Sequence, residues 1–278
     1  MSLEFEKFEK EGLKIDRERV LTYSNLICPL GCIYCFTEDI NPEPRKNVSY
    51  LREEQFDLLK QLPEEIKLIM LGCDTEFFQS KDDAIRILEK LSHLNKDISV
   101  ITKLSLSQDL VGKLKEIDVK LKQGGNLLVF SESITCIDSA KEWEPKAPHP
   151  KQRINTLKTV HELGIKTLIA IRPLLPTISE IELKEIIDLT KNYCDGYYSG
   201  PLYLKNLSHQ LLDKIKSETL QIERLQPHWM PKDNIFYKIE KEGQADLLKS
   251  ILGENGKQLF ERAAEAIKYL KEKEHEKY

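Results

Sequence analysis

Short runs of apolar residues alternate along the chain with longer stretches in which apolar residues recur every three or four positions. The short runs have the length of β-strands, and the longer stretches have the period of amphipathic helices. Six strands are expected, at Arg19–Ile27, Ile66–Gly72, Ile98–Thr102, Asn126–Ser131, Lys166–Ile171 and Tyr197–Leu202. Five helices are expected between them, at Glu53–Gln61, Asp82–Leu94, Gln108–Ile117, Lys151–Leu163 and Glu180–Tyr193. This alternation predicts an α/β fold with a parallel sheet.

Six consecutive strand–helix units indicate a partial (β/α)6 TIM-type barrel of parallel strands. The pattern changes after Leu204, where helical stretches near Gln210–Gln221 and Gln244–Lys273 flank an irregular segment at 226–231. We therefore expect three parts: an N-terminal segment at 1–18, the partial barrel at 19–204, and a helical C-terminal cap at 205–278.

The composition is that of a folded protein outside the membrane. Of the 278 residues, 40% are apolar and 32% are charged, so the chain can bury a core. No stretch approaches the roughly 18 apolar residues of a membrane span, and the first residues lack the apolar run of a signal peptide, so a cytoplasmic location is expected. The net charge is −4, which argues against nucleic-acid binding through bulk charge.

The six cysteines are unevenly distributed. Three fall within eight residues and form a C-x3-C-x2-C array: Cys28, Cys32 and Cys35. The other three stand far apart: Cys73, Cys136 and Cys194. In a reducing compartment a tight cluster points to metal or catalysis rather than to disulfides, and the isolated Cys136 and Cys194 are expected to be packing residues. Three thiolates on one loop can hold three corners of a cubane iron–sulfur cluster. A zinc ion with a fourth ligand from elsewhere is the alternative.

The array, with an aromatic residue before its last cysteine, resembles the signature of the radical S-adenosylmethionine (SAM) superfamily. The resemblance runs from about Thr22 to Leu204 and is strongest to the branch of spore photoproduct lyase and the DNA repair photolyase-like proteins. It is carried by Cys28–Phe36, Gly72–Gln79, Thr102-Lys103, Trp143–Pro148 and Arg172–Pro176.

The resemblance implies a [4Fe–4S] cluster held by Cys28, Cys32 and Cys35, with SAM bound at its open iron. It further implies that SAM is cleaved to a 5′-deoxyadenosyl radical, which abstracts hydrogen from a substrate. The cofactor supplies this chemistry and the protein positions it. A reducing partner such as flavodoxin or ferredoxin is also implied.

Polar residues at the carboxyl ends of the expected strands are the candidates for the SAM site, because reactive groups of α/β barrels lie there. By the resemblance, the SAM-binding candidates are Tyr34, Thr75, Glu76, Lys103, Ser131 and Arg172. Lys103 matches a family lysine that reaches the methionine carboxylate. Arg172 directly follows an apolar strand and needs a partner, which is SAM, the substrate or an acidic residue.

Two other candidates are interpreted in alternative ways. Thr75 and Glu76 either contact SAM or cap the end of their strand. The long fourth connection, which contains Trp143 and Glu144-Pro145, either forms part of the substrate wall or is a rigid surface loop.

Cys73 matches the position at which spore photoproduct lyases carry a cysteine that returns a hydrogen atom to the product radical. An ordinary buried cysteine is the alternative. The expected function is therefore a lyase-like radical SAM enzyme. A radical SAM peptide maturase or small-molecule biosynthetic enzyme is the runner-up, and a zinc-stabilised interaction module without catalysis is a distant third. The substrate is left open among nucleic acid, peptide and small molecule.

Overall fold

An eight-stranded, mostly parallel sheet forms the centre of the protein. The computed structural model describes residues 3–40, 49–207, 211–231 and 234–275. In spatial order the strands of this sheet are β1 (Leu13–Asp16), β2 (Arg19–Thr22), β3 (Leu68–Leu71), β4 (Asp97–Thr102), β5 (Leu128–Ser133), β6 (Lys166–Ile171), β7 (Gly196–Ser199) and β11 (Leu259–Phe260). β1 pairs with β2 in the antiparallel sense, and the remaining neighbours are parallel. The prediction of an α/β partial barrel is confirmed.

Helices follow most of the parallel strands. In chain order the helices are α1 (Leu3–Lys10), α2 (Thr37–Ile40), α3 (Glu53–Leu59), α4 (Lys81–Leu91), α5 (Gln108–Gln123), α6 (Ala140–Trp143), α7 (Pro150–Glu162), α8 (Glu180–Thr190), α9 (Leu211–Ile215), α10 (Gln244–Glu254) and α11 (Ala263–His275). The side chains of Ser107 and Ser179 cap α5 and α8 by accepting hydrogen bonds from backbone N–H groups. None of the described helices is long and apolar enough to cross a membrane.

The two faces of the main sheet bury different partners, because successive side chains of a strand point to opposite faces. Ile98 and Val100 of β4 belong to the large core that also includes the apolar sides of α4, α5, α7 and α8. On the other face, Val129 and Ala170 pack in a smaller cluster with α11. The Lys271 ammonium on α11 lies 2.8 Å from an oxygen of Asp97, at the amino end of β4. α11 therefore covers the inner face toward the amino ends of the strands and leaves the carboxyl ends to the candidate site.

The predicted strand at Tyr197–Leu202 is two strands. β7 ends at Ser199, and after Gly200-Pro201 the chain enters β8 (Leu202–Leu204), which belongs to a second sheet. Proline lacks a backbone N–H and cannot continue a strand's hydrogen-bond ladder, which accounts for the break. The second sheet is antiparallel and also contains β9 (Leu220–Leu225) and β10 (Phe236–Lys241).

The C-terminal region therefore contains strands as well as helices. The predicted helix near Gln210–Gln221 is correct for α9, but its last part is the start of β9, and Gln210 lies outside the described residues. The predicted stretch Gln244–Lys273 is divided into α10, β11 and α11. Gly256 follows α10 with a φ of +64°, a conformation that glycine adopts at little cost and that ends the helix.

Candidate functional site

The three clustered cysteines lie on the loop that follows β2. Gly31 has a φ of +58°, which lets the loop turn between Cys28 and Cys32, and the Cys35 N–H donates to the Cys32 carbonyl at 3.0 Å. The Ile33 N–H donates to the carbonyl of Trp143 at 3.0 Å, so the long fourth connection supports this loop. All three cysteine side chains are only partly exposed.

The chemistry of these thiols fits an iron–sulfur cluster. Burial raises the pKa of Cys28, and it raises the pKa of Cys32 to about 12, so both thiols carry protons until a metal replaces them. The three sulfurs are close enough for Cys28 and Cys35 each to contribute to the shift at Cys32. Among the described residues no three Cys, His, Asp or Glu side chains converge on one ion position. A cubane cluster takes each thiolate at a different iron, whereas a single zinc ion takes all of its ligands at one point.

A fully buried carboxylate, Glu144, joins the cysteine loop to two cations. The Tyr34 hydroxyl donates to Glu144 Oε1, and Arg153 Nη2 donates to Oε2 at 2.5 Å. The Lys103 ammonium lies 3.4 Å from Oε1 and also donates to Ser133 Oγ. We call Tyr34, Lys103, Glu144 and Arg153 the Glu144 network. It brings Tyr34 of the cysteine loop and Lys103 at the end of β4 into one buried cluster.

The electrostatics of the Glu144 network favour an ionised carboxylate. Burial alone would raise the pKa of Glu144, but Lys103, Arg153 and the hydrogen bond from Tyr34 outweigh it and lower that pKa. The same environment keeps Tyr34 protonated, because burial and the neighbouring Glu144 charge raise its pKa well above the usual range. The network therefore favours an anionic partner for Lys103.

Glu76 and Thr75 hold the chain after β3. The Glu76 carboxylate accepts hydrogen bonds from Thr102 Oγ1 at 2.7 Å, from the Lys103 N–H at 2.9 Å and from the Phe78 N–H at 3.0 Å. Thr75 Oγ1 accepts from Gln79 at 3.4 Å. Burial raises the pKa of Glu76, against the effect of these hydrogen bonds. Glu76 thus fixes the backbone of Lys103 and caps the turn at Phe77–Gln79, and Thr75 contacts the Gln79 side chain in the same turn.

The remaining predicted residues gather around Tyr198. Thr135 links them to the Glu144 network, since its hydroxyl lies 3.3 Å from the Tyr34 hydroxyl and donates to the Arg172 carbonyl at 3.1 Å. Ser131 is fully buried beside the Tyr198 hydroxyl, and the Arg172 guanidinium lies 5.9 Å from the Tyr198 ring. A Cβ on Gly200 would lie 2.4 Å from Arg172 Nε, so the guanidinium rests against the bare backbone of this glycine. Cys73 lies within electrostatic reach of both Arg172 and Tyr198. We call Cys73, Arg172, Tyr198 and Gly200 the Arg172 region.

The thiol of Cys73 is protonated in this setting. Burial raises its pKa to about 12, and the neighbouring Asp74 carboxylate adds to the shift, while Arg19 and Arg172 oppose it. The other two isolated cysteines, Cys136 and Cys194, are buried in the core, as predicted for packing residues.

Aromatic residues of the C-terminal region face the cysteine loop. The Phe36 ring lies 5.5 Å from Trp229 and 6.2 Å from Phe236, and Trp229 lies 5.6 Å from Tyr203. The Tyr23 hydroxyl donates to the Trp229 carbonyl at 2.9 Å. The segment at 226–231 therefore borders the candidate site.

Glu144 and Arg153 are site residues to which the sequence analysis gave no such role, and Tyr198 and Gly200 are two more. The fourth connection is neither a surface loop nor solely a wall, since its Glu144 is fully buried under the cysteine loop. The sequence offered one signal for this pair. Glu144 lies between a tryptophan and a proline, and Arg153 follows nine residues later on a helix. Periodicity cannot show that two such charges meet.

A family model and a relative place the chain among known proteins. The model described as the radical SAM superfamily matches residues 23–190, which include both the Glu144 network and Cys73. An uncharacterized protein of Methanocaldococcus jannaschii is 30% identical over 195 residues, which make up 64% of this chain and 68% of that protein.

Solved structures share the fold. Spore photoproduct lyase complexed with dinucleoside spore photoproduct has a TM-score of 0.63 and 12% identity, over 84% of this chain and 74% of that one. Streptococcus suis SuiB bound to precursor peptide SuiA has a TM-score of 0.52 and 19% identity, over 70% of this chain and 41% of that one. The chain thus spans less than half of SuiB. At these identities the likeness concerns the fold.

Proposed function

The chain belongs to the radical SAM superfamily of enzymes, and from that premise we propose that it abstracts hydrogen from its substrate in a reaction of the lyase-like type. When bound, SAM and an iron–sulfur cluster supply the 5′-deoxyadenosyl radical for this class of reaction. We propose that the cluster is of the [4Fe–4S] type and that Cys28, Cys32 and Cys35 hold it. A one-electron donor of the flavodoxin or ferredoxin class completes the system.

The observation that carries this proposal is the buried link between the cysteine loop and Lys103. Glu144 accepts a hydrogen bond from Tyr34 and lies 3.4 Å from the Lys103 ammonium. Lys103 is therefore held beside the cysteine loop, where it binds the methionine carboxylate of SAM. The Lys103 ammonium also lies 5.7 Å from the Tyr34 ring centroid, so the aromatic residue lines the same space.

The other predicted residues take supporting roles in this proposal. Glu76 positions Lys103 through the backbone hydrogen bond, and Thr75 supports the same turn. Ser131 lies one strand over from Lys103, on β5, and offers its hydroxyl to the SAM ribose. The role of Arg172 is argued separately below.

Cys73 is proposed as the hydrogen donor that ends the reaction. Its S–H bond breaks as a new C–H bond forms on the product radical, which leaves a sulfur-centred radical on Cys73. One electron from the reducing partner and one proton then restore the thiol. A raised pKa suits this role, because a hydrogen-atom donor must keep its proton, whereas a nucleophilic cysteine must lose it.

Anaerobic reconstitution tests the cluster. We expect about four irons and four sulfides per chain, and an electron paramagnetic resonance signal of the reduced protein that changes when SAM is added. Changing Cys28, Cys32 or Cys35 to alanine should abolish both, while Cys136→Ala, which alters a cysteine of the core, should keep them. Stoichiometric zinc without visible absorption would contradict the proposal.

Lys103 and Cys73 can be separated by their variants. Lys103→Ala should weaken SAM binding by about tenfold or more, because a charge-assisted hydrogen bond contributes about 1.5–3 kcal/mol. Lys113→Ala removes a cation from a solvent-exposed ion pair with Asp109 and should leave SAM binding unchanged. Cys73→Ala should keep the cluster and the slow release of 5′-deoxyadenosine without substrate, yet change the products formed with substrate. Normal products from this variant would make Cys73 a packing residue.

A further inference from the structure

Arg172 lies at the carboxyl end of β6 with its guanidinium turned to the interior of the site. Gly200, on the neighbouring strand's continuation, leaves the space that the guanidinium occupies, since a Cβ there would come within 2.4 Å of Nε and 2.7 Å of Nη2. The Leu174 N–H donates to the Gly200 carbonyl at 2.8 Å and holds the two segments together. The backbone at Gly200 therefore leaves room for the guanidinium of Arg172.

This cation has no carboxylate partner in the part of the chain that the structure describes. The titratable groups near it include Tyr198, Tyr203, Cys73 and a second cation, Arg19. Arg19 itself is neutralised by Asp16, whose oxygen lies 2.6 Å from its Nη2. A partly buried cation without a counter-charge is costly to keep unless a ligand supplies the charge.

The contrast with Lys103 indicates which ligand this is. Lys103 lies beside the cysteine loop and is already paired with Glu144, so its further contact is the one proposed for SAM. Arg172 lies beside Tyr198 and next to the thiol of Cys73, and no carboxylate of the described residues pairs with it. In the proposed function that thiol reacts with the substrate-derived radical, so a group bound by Arg172 belongs to the substrate.

We propose that Arg172 binds an oxyanion of the substrate, a carboxylate or a phosphate, at a subsite separate from that of SAM. The inference rests on the proposed function for its assignment to the substrate. A guanidinium presents a planar pair of N–H donors that matches two oxygens of a carboxylate or phosphate. The Tyr198 ring and the Gly200 backbone border the guanidinium.

Anion titration of the full-length protein tests the subsite. Inorganic phosphate and acetate serve as probes, measured by isothermal titration calorimetry on reconstituted protein with and without saturating SAM. We expect saturable binding of one of the two, which names the class of anion, and no competition from SAM. Arg172→Gln should weaken that binding by about tenfold or more, and Arg172→Lys should fall between, because the ammonium lacks the planar fork.

SAM affinity in the same variants decides the assignment. Arg172→Gln should bind SAM within about twofold of the wild type, whereas Lys103→Gln should lose SAM affinity and keep anion binding. A loss of SAM affinity in Arg172→Gln, or displacement of the anion by SAM, would make Arg172 a SAM ligand and overturn the proposal. Equal anion binding by wild type and Arg172→Gln, or none by either, would also overturn it.

A failure of the proposed function would not decide whether Arg172 binds an oxyanion. If no cluster assembles, the proposed function is wrong, and the titrations repeated on cluster-free protein still show whether Arg172 binds an oxyanion. Thermal unfolding of Arg172→Lys and Arg172→Gln confirms that both variants are folded before they are compared.

Discussion

Lys103 and Arg172 lie at the same edge of one sheet, but only Lys103 is paired with a carboxylate among the described residues. On the first side, Lys103 and Arg153 share the buried carboxylate of Glu144. On the second side, Arg172 faces the Tyr198 ring and the backbone of Gly200, with no carboxylate within ion-pair distance among the described residues.

This difference in charge pairing shows which side chains the protein holds in place without a ligand. A network of buried charges that satisfy one another holds its members in place without a ligand, and losing one member leaves the others uncompensated. A cation without a counter-charge instead leaves a place for an anion. This difference agrees with the proposals above, in which Lys103 binds the cofactor and Arg172 binds the substrate.

The largest expected effect is that of removing Glu144. Glu144→Ala leaves two buried cations and the Tyr34 hydroxyl without their acceptor, so we expect a loss of about 3–5 kcal/mol in the free energy of unfolding. The loss should be accompanied by weaker SAM binding, because Lys103 is released from its position. Urea unfolding followed by circular dichroism measures the first effect, and calorimetry measures the second.

Glu142→Ala is the matched control for this prediction. Glu142 lies two residues earlier in the same connection and forms an ion pair with Lys214, but both side chains are about half exposed. Such pairs contribute about 0–1 kcal/mol. If both variants lose the same small amount of stability, Glu144 is not the anchor of the Lys103 side.

A neighbouring carboxyl group, Glu132 on β5, gives the next prediction through pH. It is fully buried, and neither oxygen has a hydrogen-bond partner in the described part of the chain. Burial raises the pKa of Glu132 well above its usual range; Arg153 opposes the shift and the nearby carboxylates of Glu76 and Glu144 add to it. The folded protein therefore keeps Glu132 protonated at pH values at which the unfolded chain has ionised it.

The sign of the effect follows from this difference. As pH rises above about 4.5 the unfolded state releases the proton and the folded state does not, so the stability of the wild type falls relative to a variant that cannot ionise. Glu132→Gln should thus gain on the wild type with increasing pH, in urea unfolding at pH 5, 6, 7 and 8. A difference that is constant over this range would mean that Glu132 is ionised in the folded protein.

Local patterns predicted most of the fold. Lys166–Ile171 ends in four consecutive apolar residues and is buried on both faces, and its bounds agree with the structure, because a run of this kind has few alternatives. β9 was missed because its residues are mostly exposed and only half of them are apolar, so its pattern indicates no buried face. The cysteine spacing predicted that three thiols lie close together, because all three are on one loop.

Partnership between distant residues could not be predicted in the same way. Lys103 and Arg172 look alike in sequence, since each follows an apolar strand. Only the three-dimensional structure shows that Glu144 neutralises the first and that a glycine makes room for the second. Spacing along the chain contains no information on contacts across 41 residues, so the asymmetry between the two sides emerges only from the fold.

The smallest expected effect on stability is that of Gly200→Ala, which acts on the Arg172 side alone. Gly200→Ala places a methyl group on the guanidinium of Arg172, and since that group is the mobile end of a long side chain, it can move aside. We therefore expect a loss of only about 1 kcal/mol in the free energy of unfolding, at the low end of overpacking effects. Gly112→Ala is the control, because nothing lies within 4 Å of its added Cβ. That variant should stabilise α5 by about 0.5–1 kcal/mol.

A double-mutant cycle attributes the loss to Arg172. If the methyl group acts through the guanidinium, Gly200→Ala should cost almost nothing in an Arg172→Ala background, because the side chain that it displaces is absent. Equal costs in both backgrounds would place the strain in the backbone of Gly200 and leave the position of Arg172 unexplained. The same comparison made with Lys103→Ala should show no coupling, since Lys103 belongs to the Glu144 network. The cycle thus measures in free energy whether the two sides of the site are independent.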